Sequence, residues 1–122
     1  MAYTTIDKPT DYFETKLHTG NGGTQSITGL DFAPNWVWLK SRSAVEGHAI
    51  FDTVRGVQKR IGSNGADAEN DQSSYLTAFG TEGFTVGSSG LVNSNSTTYV
   101  SWNWKAGTSF TNDASSTGIG TI

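Results

Sequence analysis

The sequence predicts an all-β protein that folds as a single antiparallel β-sandwich domain. Turn-forming Gly, Ser and Asn clusters recur every 8–12 residues or so, a spacing typical of sandwiches and barrels. No segment of the main body keeps the 3.6-residue apolar period of a helix. Hydrophobic residues make up only 34% of the 122 residues, but 4 Trp, 4 Tyr and 6 Phe supply large side chains for a thin core.

Composition and charge exclude several classes of protein. The absence of Cys rules out a disulfide framework and a Cys-ligated zinc site. A net charge of −3 without a basic stripe argues against a nucleic-acid partner. No apolar run approaches the roughly 18 residues that span a bilayer, and the N-terminus lacks the pattern of a secretory signal. The sequence therefore predicts a protein made in the cytoplasm, without a membrane partner.

The strongest predicted strand is Trp36–Arg42, which places Val37 and Leu39 together on one face. Residues 43–47 have the length and composition of a hairpin loop, and residues 48–54 continue as a second strand. The sequence thus predicts a β-hairpin at the centre of the domain. The opposite face of its first strand carries Trp36, Trp38, Lys40 and Arg42.

The remaining elements divide the chain into three parts. Residues 11–17 fit a short helix or a first strand equally well. Residues 62–74 offer only two alanines to a core and predict a long exposed loop. Further strands are predicted at 24–28, 57–61, 84–87 and 99–106. The predicted organisation is an N-terminal attachment arm at 1–19, the sandwich at 20–107, and at 108–122 a Ser/Thr/Gly-rich linker or the start of a following unit.

The last strand contains the second Trp-x-Trp sequence. Trp102 and Trp104 share one face with Val100 and Ala106, because side chains alternate along a strand. Because the two other residues of that face, Val100 and Ala106, are apolar, the pattern predicts Trp102 and Trp104 as buried anchors of the core.

The first Trp-x-Trp sequence leads to a different prediction. Trp36 and Trp38 share their face with Lys40 and Arg42, whose aliphatic stems can cover indole rings. This favours a subunit interface or a packed outer face. The alternative is a sugar-binding surface, in which exposed rings stack on a glycan and Tyr75 is a further candidate.

His48, Asp52 and Arg55 form the most chemically suggestive cluster in the sequence. A His–Asp pair beside a Ser or Thr nucleophile is the arrangement found in hydrolases. However, the Gly-x-Ser-x-Gly nucleophile elbow is missing. We therefore favour a structural polar cluster in which Asp52 pairs with a basic neighbour across the sheet, and we predict no enzyme and no catalytic residue.

The sequence predicts neither a metal site nor a cofactor. Asp67, Glu69 and Asp71 alternate in the long loop, but the glycine and terminal glutamate of an EF-hand are missing at the required offsets. His18 and His48 are far apart and lack carboxylates at ligand spacing. The Gly-rich segment 20–23 lacks the following helix that a phosphate-binding loop needs.

Four ordered blocks carry a resemblance to a known family. They are GLDFAPNWVWLKSR at 29–42, HAIFDTVRG at 48–56, LTAF at 76–79 with GFTVG at 83–87, and YVSWNWKAG at 99–107. In this order and spacing, the chain resembles bacteriophage virion structural domains of the type frequent in marine and cyanobacterial phages. These domains occur in tail-fibre-like and other particle-surface proteins, often in tandem. The resemblance covers residues 19–107 and implies a lectin-like or jelly-roll-like β-sandwich.

The resemblance also implies a function and a location. It indicates a non-enzymatic virion structural protein, the particle-attached N-terminal part of a tail fibre or of a similar appendage used in host attachment. The expected partners are other virion proteins, such as tail or adaptor subunits, and further copies of the chain; a homotrimer is favoured by analogy with phage fibres. Two alternatives stay open: a glycan-binding module for host recognition, and a fragment of a polysaccharide depolymerase.

Overall fold

Two antiparallel sheets pack face to face in the computed structural model, which describes residues 8–106. The larger sheet has six strands in the spatial order β1-β9-β3-β4-β5-β6, and the smaller has three in the order β2-β8-β7. This confirms the predicted all-β sandwich. The strands are β1 Phe13–Thr19, β2 Gln25–Ile27, β3 Trp36–Ser41, β4 Ala49–Asp52, β5 Gly56–Ile61, β6 Asn70–Asp71, β7 Leu76–Phe79, β8 Phe84–Val86 and β9 Thr98–Trp104; a 3-10 turn, Pro9–Asp11, and one short helix, α1 Gly90–Asn93, complete the elements.

The apolar core lies between the smaller sheet and the centre of the larger one. Strands β3 and β4 form the predicted hairpin, and alternate residues of both strands are fully buried. Burying a branched or aromatic side chain of this kind stabilises the fold by about 1.5–3 kcal/mol. The main contributors are Val37, Leu39, Ala49 and Phe51 from the larger sheet and Ile27, Leu76, Phe84 and Val86 from the smaller.

Two glycines at the ends of β8 permit the close approach of neighbouring backbones. A Cβ atom added at Gly83 would lie 1.8 Å from the carbonyl oxygen of Ile27, and one at Gly87 would lie 2.7 Å from that of Ser74. Both distances are far below van der Waals contact, so no other residue fits without a backbone shift. The GFTVG block therefore has a packing role in the small sheet.

Strand β1 resolves the ambiguity at the start of the chain. It pairs with β9 over seven residues, so the segment is a strand and not a helix. Its side chains alternate between an exposed and a half-buried face. The sheet thus begins at Phe13 and not at residue 20, and the part of the predicted arm from 13 to 19 belongs to the sandwich. Residues 1–7 and the predicted linker at 108–122 lie outside the described residues.

The inner face of β9 is polar. Tyr99, Ser101 and Asn103 are fully buried there. The Tyr99 hydroxyl donates to the carbonyl oxygen of Gly90 at 2.6 Å, which joins β9 to α1. The amide nitrogen of Asn103 donates to the carbonyl oxygen of Glu14 and to the hydroxyl of Ser101, both at 3.0 Å. Hydrogen bonds thus offset most of the cost of burying these polar groups.

A turn and the short helix are tied together by one buried amide. The side chain of Asn93 donates to Asn21 Oδ1 at 2.9 Å and to the carbonyl oxygen of Gly23 at 2.6 Å, and it accepts a bond from the Asn21 backbone at 3.1 Å. The glycine-rich segment 20–23 is therefore a structural turn. The sequence pattern predicted the turn but not α1.

Candidate functional site

The outer face of the larger sheet carries a continuous group of aromatic rings. Phe13 and Trp36 lie opposite Trp104 on either side of β9, and Trp38 lies opposite Trp102. The ring centroids are 4.8 Å apart for Phe13–Trp104, 4.3 Å for Trp36–Trp104 and 5.5 Å for Trp38–Trp102. These separations are close to those of attractive aromatic pairs, about 4.5–7 Å. We call these five residues the aromatic face.

The position of Trp102 and Trp104 corrects the sequence-based prediction that both are core anchors. Both are only partly buried, and they lie on the side of the sheet that faces away from the second sheet. The reason is the register between β3 and β9, which places Trp36 and Trp38 beside them. All four indoles must therefore lie on the same side.

The N–H group of Trp38 has a fixed partner. Its Nε1 atom donates to Nδ1 of His48 at 2.9 Å, and the two ring centroids are 5.6 Å apart. An indole nitrogen can only donate, so Nδ1 of His48 accepts and the proton of the neutral imidazole is on Nε2. His48 thus extends the aromatic face and holds one of its indoles in place.

Asp52 and Arg55 form an ion pair at the turn between β4 and β5. Arg55 Nε lies 2.6 Å from Asp52 Oδ2, and Asp52 Oδ1 accepts the backbone N–H groups of Val54 at 3.1 Å and of Arg55 at 2.8 Å. Burial tends to raise the pKa of Asp52, but the hydrogen bonds from the backbone and side chain of Arg55 and its positive charge lower it overall. The carboxylate of Asp52 is thereby kept ionised, and the guanidinium of Arg55 compensates its negative charge.

Arg55 also stabilises an irregular part of the larger sheet. The β4–β5 pairing shifts register between Ile50 and Asp52. The guanidinium donates to the carbonyl oxygen of Ile50 at 3.1 Å and to that of Lys59 at 3.0 Å, on the two strands that flank the shift.

The structure separates His48 from the other two members of the predicted polar cluster. His48 and Asp52 are four residues apart along the β4 segment, about 13 Å at the usual rise per residue. His48 contacts Trp38, while Asp52 contacts Arg55. The His–Asp pair of a hydrolase is therefore not assembled here.

The other predicted contact residues lie in three different environments. Lys40 is on the outer face, but its ammonium group donates to the carbonyl oxygen of Ser41 at 2.8 Å. Arg42 is exposed just beyond β3. Tyr75 is only 4% exposed and packs against Phe51 in the core, so the prediction that it contacts a ligand is wrong. Its apolar ring completes the core at the end of β7.

A cavity of about 620 Å³, largely open to solvent, lies at one end of the aromatic face. It is bounded by the start of β3 and by the ends of β4 and β9. The lining residues are Asn35, Trp36, Asp52, Thr53, Val54, Trp104, Lys105 and Ala106.

Asn35 fixes the three chain segments that surround this cavity. Its backbone N–H donates to Trp104 and its carbonyl accepts from Thr53, both at 2.9 Å, while Oδ1 accepts from the backbone of Ala106 at 3.0 Å. Sequence reasoning did not identify Asn35 or Val54, since a residue after Pro34 and a lone valine in a turn carry no distinctive signal.

Two of the three acidic residues of the long loop have ion-pair partners. Glu69 pairs with Arg55 at 3.1 Å, and Asp71 pairs with Lys59 at 3.1 Å. Between residues 8 and 106, no group of three or more His, Cys, Asp or Glu is arranged to hold a metal ion. Over the same part of the chain, no helix is long and apolar enough to cross a membrane.

The fold and this surface define a two-sheet β-sandwich domain that presents an aromatic face on its larger sheet. The chain belongs to the DUF7483 family, described as a domain of unknown function, whose profile matches residues 8–121. The match includes every strand described above. A search of curated proteins gave no match, and a search of solved structures gave none.

Proposed function

We propose that this chain is a non-enzymatic structural domain of a bacteriophage virion, in a tail fibre or a similar surface appendage. The observation that carries the proposal is the aromatic face. In this role, the face packs against a neighbouring subunit, either another copy of the chain or an adjoining tail or adaptor protein.

The composition of the face supports a subunit contact. Phe13 is 39% exposed and Leu17, on the same side of β1, is 57% exposed, next to indoles that are themselves only partly buried. Contiguous apolar surface of this kind is uncommon on soluble monomers and marks interaction sites. Trp is among the residues that dominate binding energy at protein interfaces.

The rigidity of the face supports the same role. Its rings come from three neighbouring strands, β1, β9 and β3, and are held by the backbone ladders of the larger sheet. Trp38 is fixed in addition by His48. A preorganised surface loses little side-chain entropy on association, which suits a stable subunit contact.

The virion assignment itself rests on the resemblance of the four sequence blocks to phage structural domains. In the structure, these blocks supply β3, β4, β7, β8 and β9, together with the buried glycines of the small sheet. A homotrimer is the expected assembly, because phage fibres are usually trimeric and most oligomers are closed and symmetric.

The assignment is tested by mass spectrometry of purified particles of the phage that encodes the chain. We expect its peptides at a stoichiometry of several copies per particle, and a map of the particle should place the domain in an appendage. Absence of the chain from intact, gradient-purified particles contradicts the proposal.

The contact role of the face is tested separately with the purified full chain. Light scattering coupled to size-exclusion chromatography should show an oligomer. Leu17→Asp should shift it toward the monomer, because the new charge would be buried in the contact. Val45→Asp is the matched control: Val45 is 104% exposed and lies in the β3–β4 loop. An equal effect of both substitutions, or none of either, argues against this surface.

A further inference from the structure

We propose that the cavity at the Trp36–Trp104 end of the aromatic face binds a neutral pyranose sugar, as part of a surface glycan. The proposal rests on two inclined indoles that meet a neutralised carboxylate and a side-chain amide in one cavity. It extends beyond the structural role and rests on it in one respect: Leu17 lies at the opposite end of β1 from Phe13, and the subunit contact must leave the Trp36–Trp104 end of the face open.

The aromatic wall of the cavity suits the apolar side of a sugar ring. The indoles of Trp36 and Trp104 are 4.3 Å apart between centroids and inclined by 60°. Phe13 packs behind Trp104 at 4.8 Å and holds it in place. The face of an aromatic ring is electronegative and attracts the weakly positive C–H groups of a pyranose. A chair-shaped ring can contact both inclined surfaces, whereas a flat ligand stacks on only one.

The polar groups of the cavity can satisfy sugar hydroxyls. Asp52 Oδ2 accepts one bond from Arg55, and a carboxylate oxygen has room for a second. Asn35 uses its Oδ1 to accept from Ala106, and its Nδ2 group donates to none of residues 8–106. A hydroxyl group both donates and accepts, so the Asp52 carboxylate and the Asn35 amide can serve as acceptor and donor for sugar hydroxyls.

The electrostatics of the cavity favour a neutral ligand over an ionic one. Arg55 neutralises Asp52 at 2.6 Å. The ammonium group of Lys105 lies 5.5 Å from the ring centroid of Tyr12, in a cation–π contact. The contact with Tyr12 positions Lys105 without removing its charge. A phosphate or a sulfated sugar would therefore meet one cation among the lining residues, together with the carboxylate of Asp52.

The size and rigidity of the cavity agree with this ligand. Its volume of about 620 Å³ is within the range of small-molecule sites, about 300–1,000 Å³. Asn35 is held by three hydrogen bonds, and Asp52 by bonds to two backbone groups and one side chain. Such groups are already oriented before binding, which lowers the entropic cost of ligand capture.

The test is a titration of the full chain with the methyl glycosides of glucose, galactose and mannose, followed by calorimetry and by saturation-transfer NMR. We expect binding of at least one, with contacts from the C–H face of the ring. Trp104→Phe should weaken it about tenfold, equivalent to about 1.4 kcal/mol. Trp102→Phe is the matched control, since Trp102 lies on the same strand but does not line the cavity; it should change affinity less than about twofold.

A second variant avoids any effect on folding. Val54 lines the cavity and is 94% exposed, so Val54→Arg should leave the fold intact and block the site by bulk. Val45→Arg is its control. Failure of all three glycosides to bind, or preferential binding of a sulfated sugar, overturns the proposal. Neither outcome bears on particle incorporation or on the oligomer, so the structural role is tested independently.

Discussion

Strands β3 and β9 are neighbours in the larger sheet and both carry a Trp-x-Trp sequence, but their inner faces differ. On β3 the inner face carries Val37 and Leu39, and on β9 it carries Ser101 and Asn103. The outer faces are alike and aromatic. The apolar character of a strand's face therefore does not by itself decide whether that face is buried. The pairing with neighbouring strands decides which face points to the core.

The hairpin explains why the indoles lie outside. Val37 pairs with Phe51 and Leu39 pairs with Ala49, so these four residues point to the same side. Turning β3 over would expose all four. The space between packed sheets is only about 10 Å deep, which suits these side chains better than a double row of indoles. The indoles of β9 lie on the same outer side, because the register with β3 pairs Trp104 with Trp36 and Trp102 with Trp38.

The largest expected effect comes from the inner face of β3. Leu39→Ala should destabilise the domain by about 2–5 kcal/mol, because it removes buried methyl groups and leaves a cavity. Leu39 is fully buried between the sheets. Urea unfolding of the variant and the wild type measures the difference. A loss below about 1 kcal/mol would mean that the core is centred elsewhere.

A smaller effect is expected from the inner face of β9. Asn103→Ala should cost about 1–3 kcal/mol, since it leaves the carbonyl oxygen of Glu14 and the hydroxyl of Ser101 without their donor. Asn103→Val, which is apolar and β-branched, tests whether the polar character matters. If the valine variant is as stable as the wild type in the same urea experiment, the buried amide makes no net contribution to the free energy of unfolding.

The outer face should contribute less to folding than to association. The ring centroids of Trp102 and Trp38 are 5.5 Å apart, and Trp102→Phe keeps an aromatic ring at this position. The substitution should therefore lower the free energy of unfolding by only about 0.5–1.5 kcal/mol. The expected midpoint of urea unfolding therefore lies well above that of Leu39→Ala. A lower midpoint for Trp102→Phe than for Leu39→Ala would mean that Trp102 contributes to the core.

The smallest effect concerns acid stability at the end of β1. Burial lowers the pKa of His18 below its usual 6.5, although its bond to the Val92 carbonyl partly opposes this. The unfolded chain therefore takes up a proton more readily than the native one. Stability from this group is complete at neutral pH and decreases as pH falls below about 6.5. His18→Gln should flatten the unfolding free energy measured between pH 7.5 and 5.5 (about two pH units); an unchanged slope contradicts the assignment.

Much of the fold could be predicted from local patterns. The hairpin of β3 and β4 follows from alternation and turn residues, and β8 follows from the GFTVG block. The burial of Trp102 was predicted wrongly, because an apolar face indicates the core only if nothing else competes for it. Here Val37, Leu39 and Phe51 occupy that space, and this is a property of the register and not of β9 alone.

The cavity could not be predicted for a related reason. Asn35, Asp52 and Trp104 come from three separate parts of the chain and meet only when β3, β4 and β9 align. Tyr75 shows the opposite case: a tyrosine beside a polar loop looked exposed, but its ring packs against Phe51.

The aromatic face also gives the protein a built-in optical probe. The chain has 4 Trp, and all of them lie on this one surface. Neighbouring indole centroids are 4.3–5.9 Å apart, close enough for their excited states to couple. Fluorescence excited selectively at Trp therefore reports on the outer face alone. Trp emission from this domain follows whatever binds to that surface and does not report directly on the tyrosines and phenylalanines of the core.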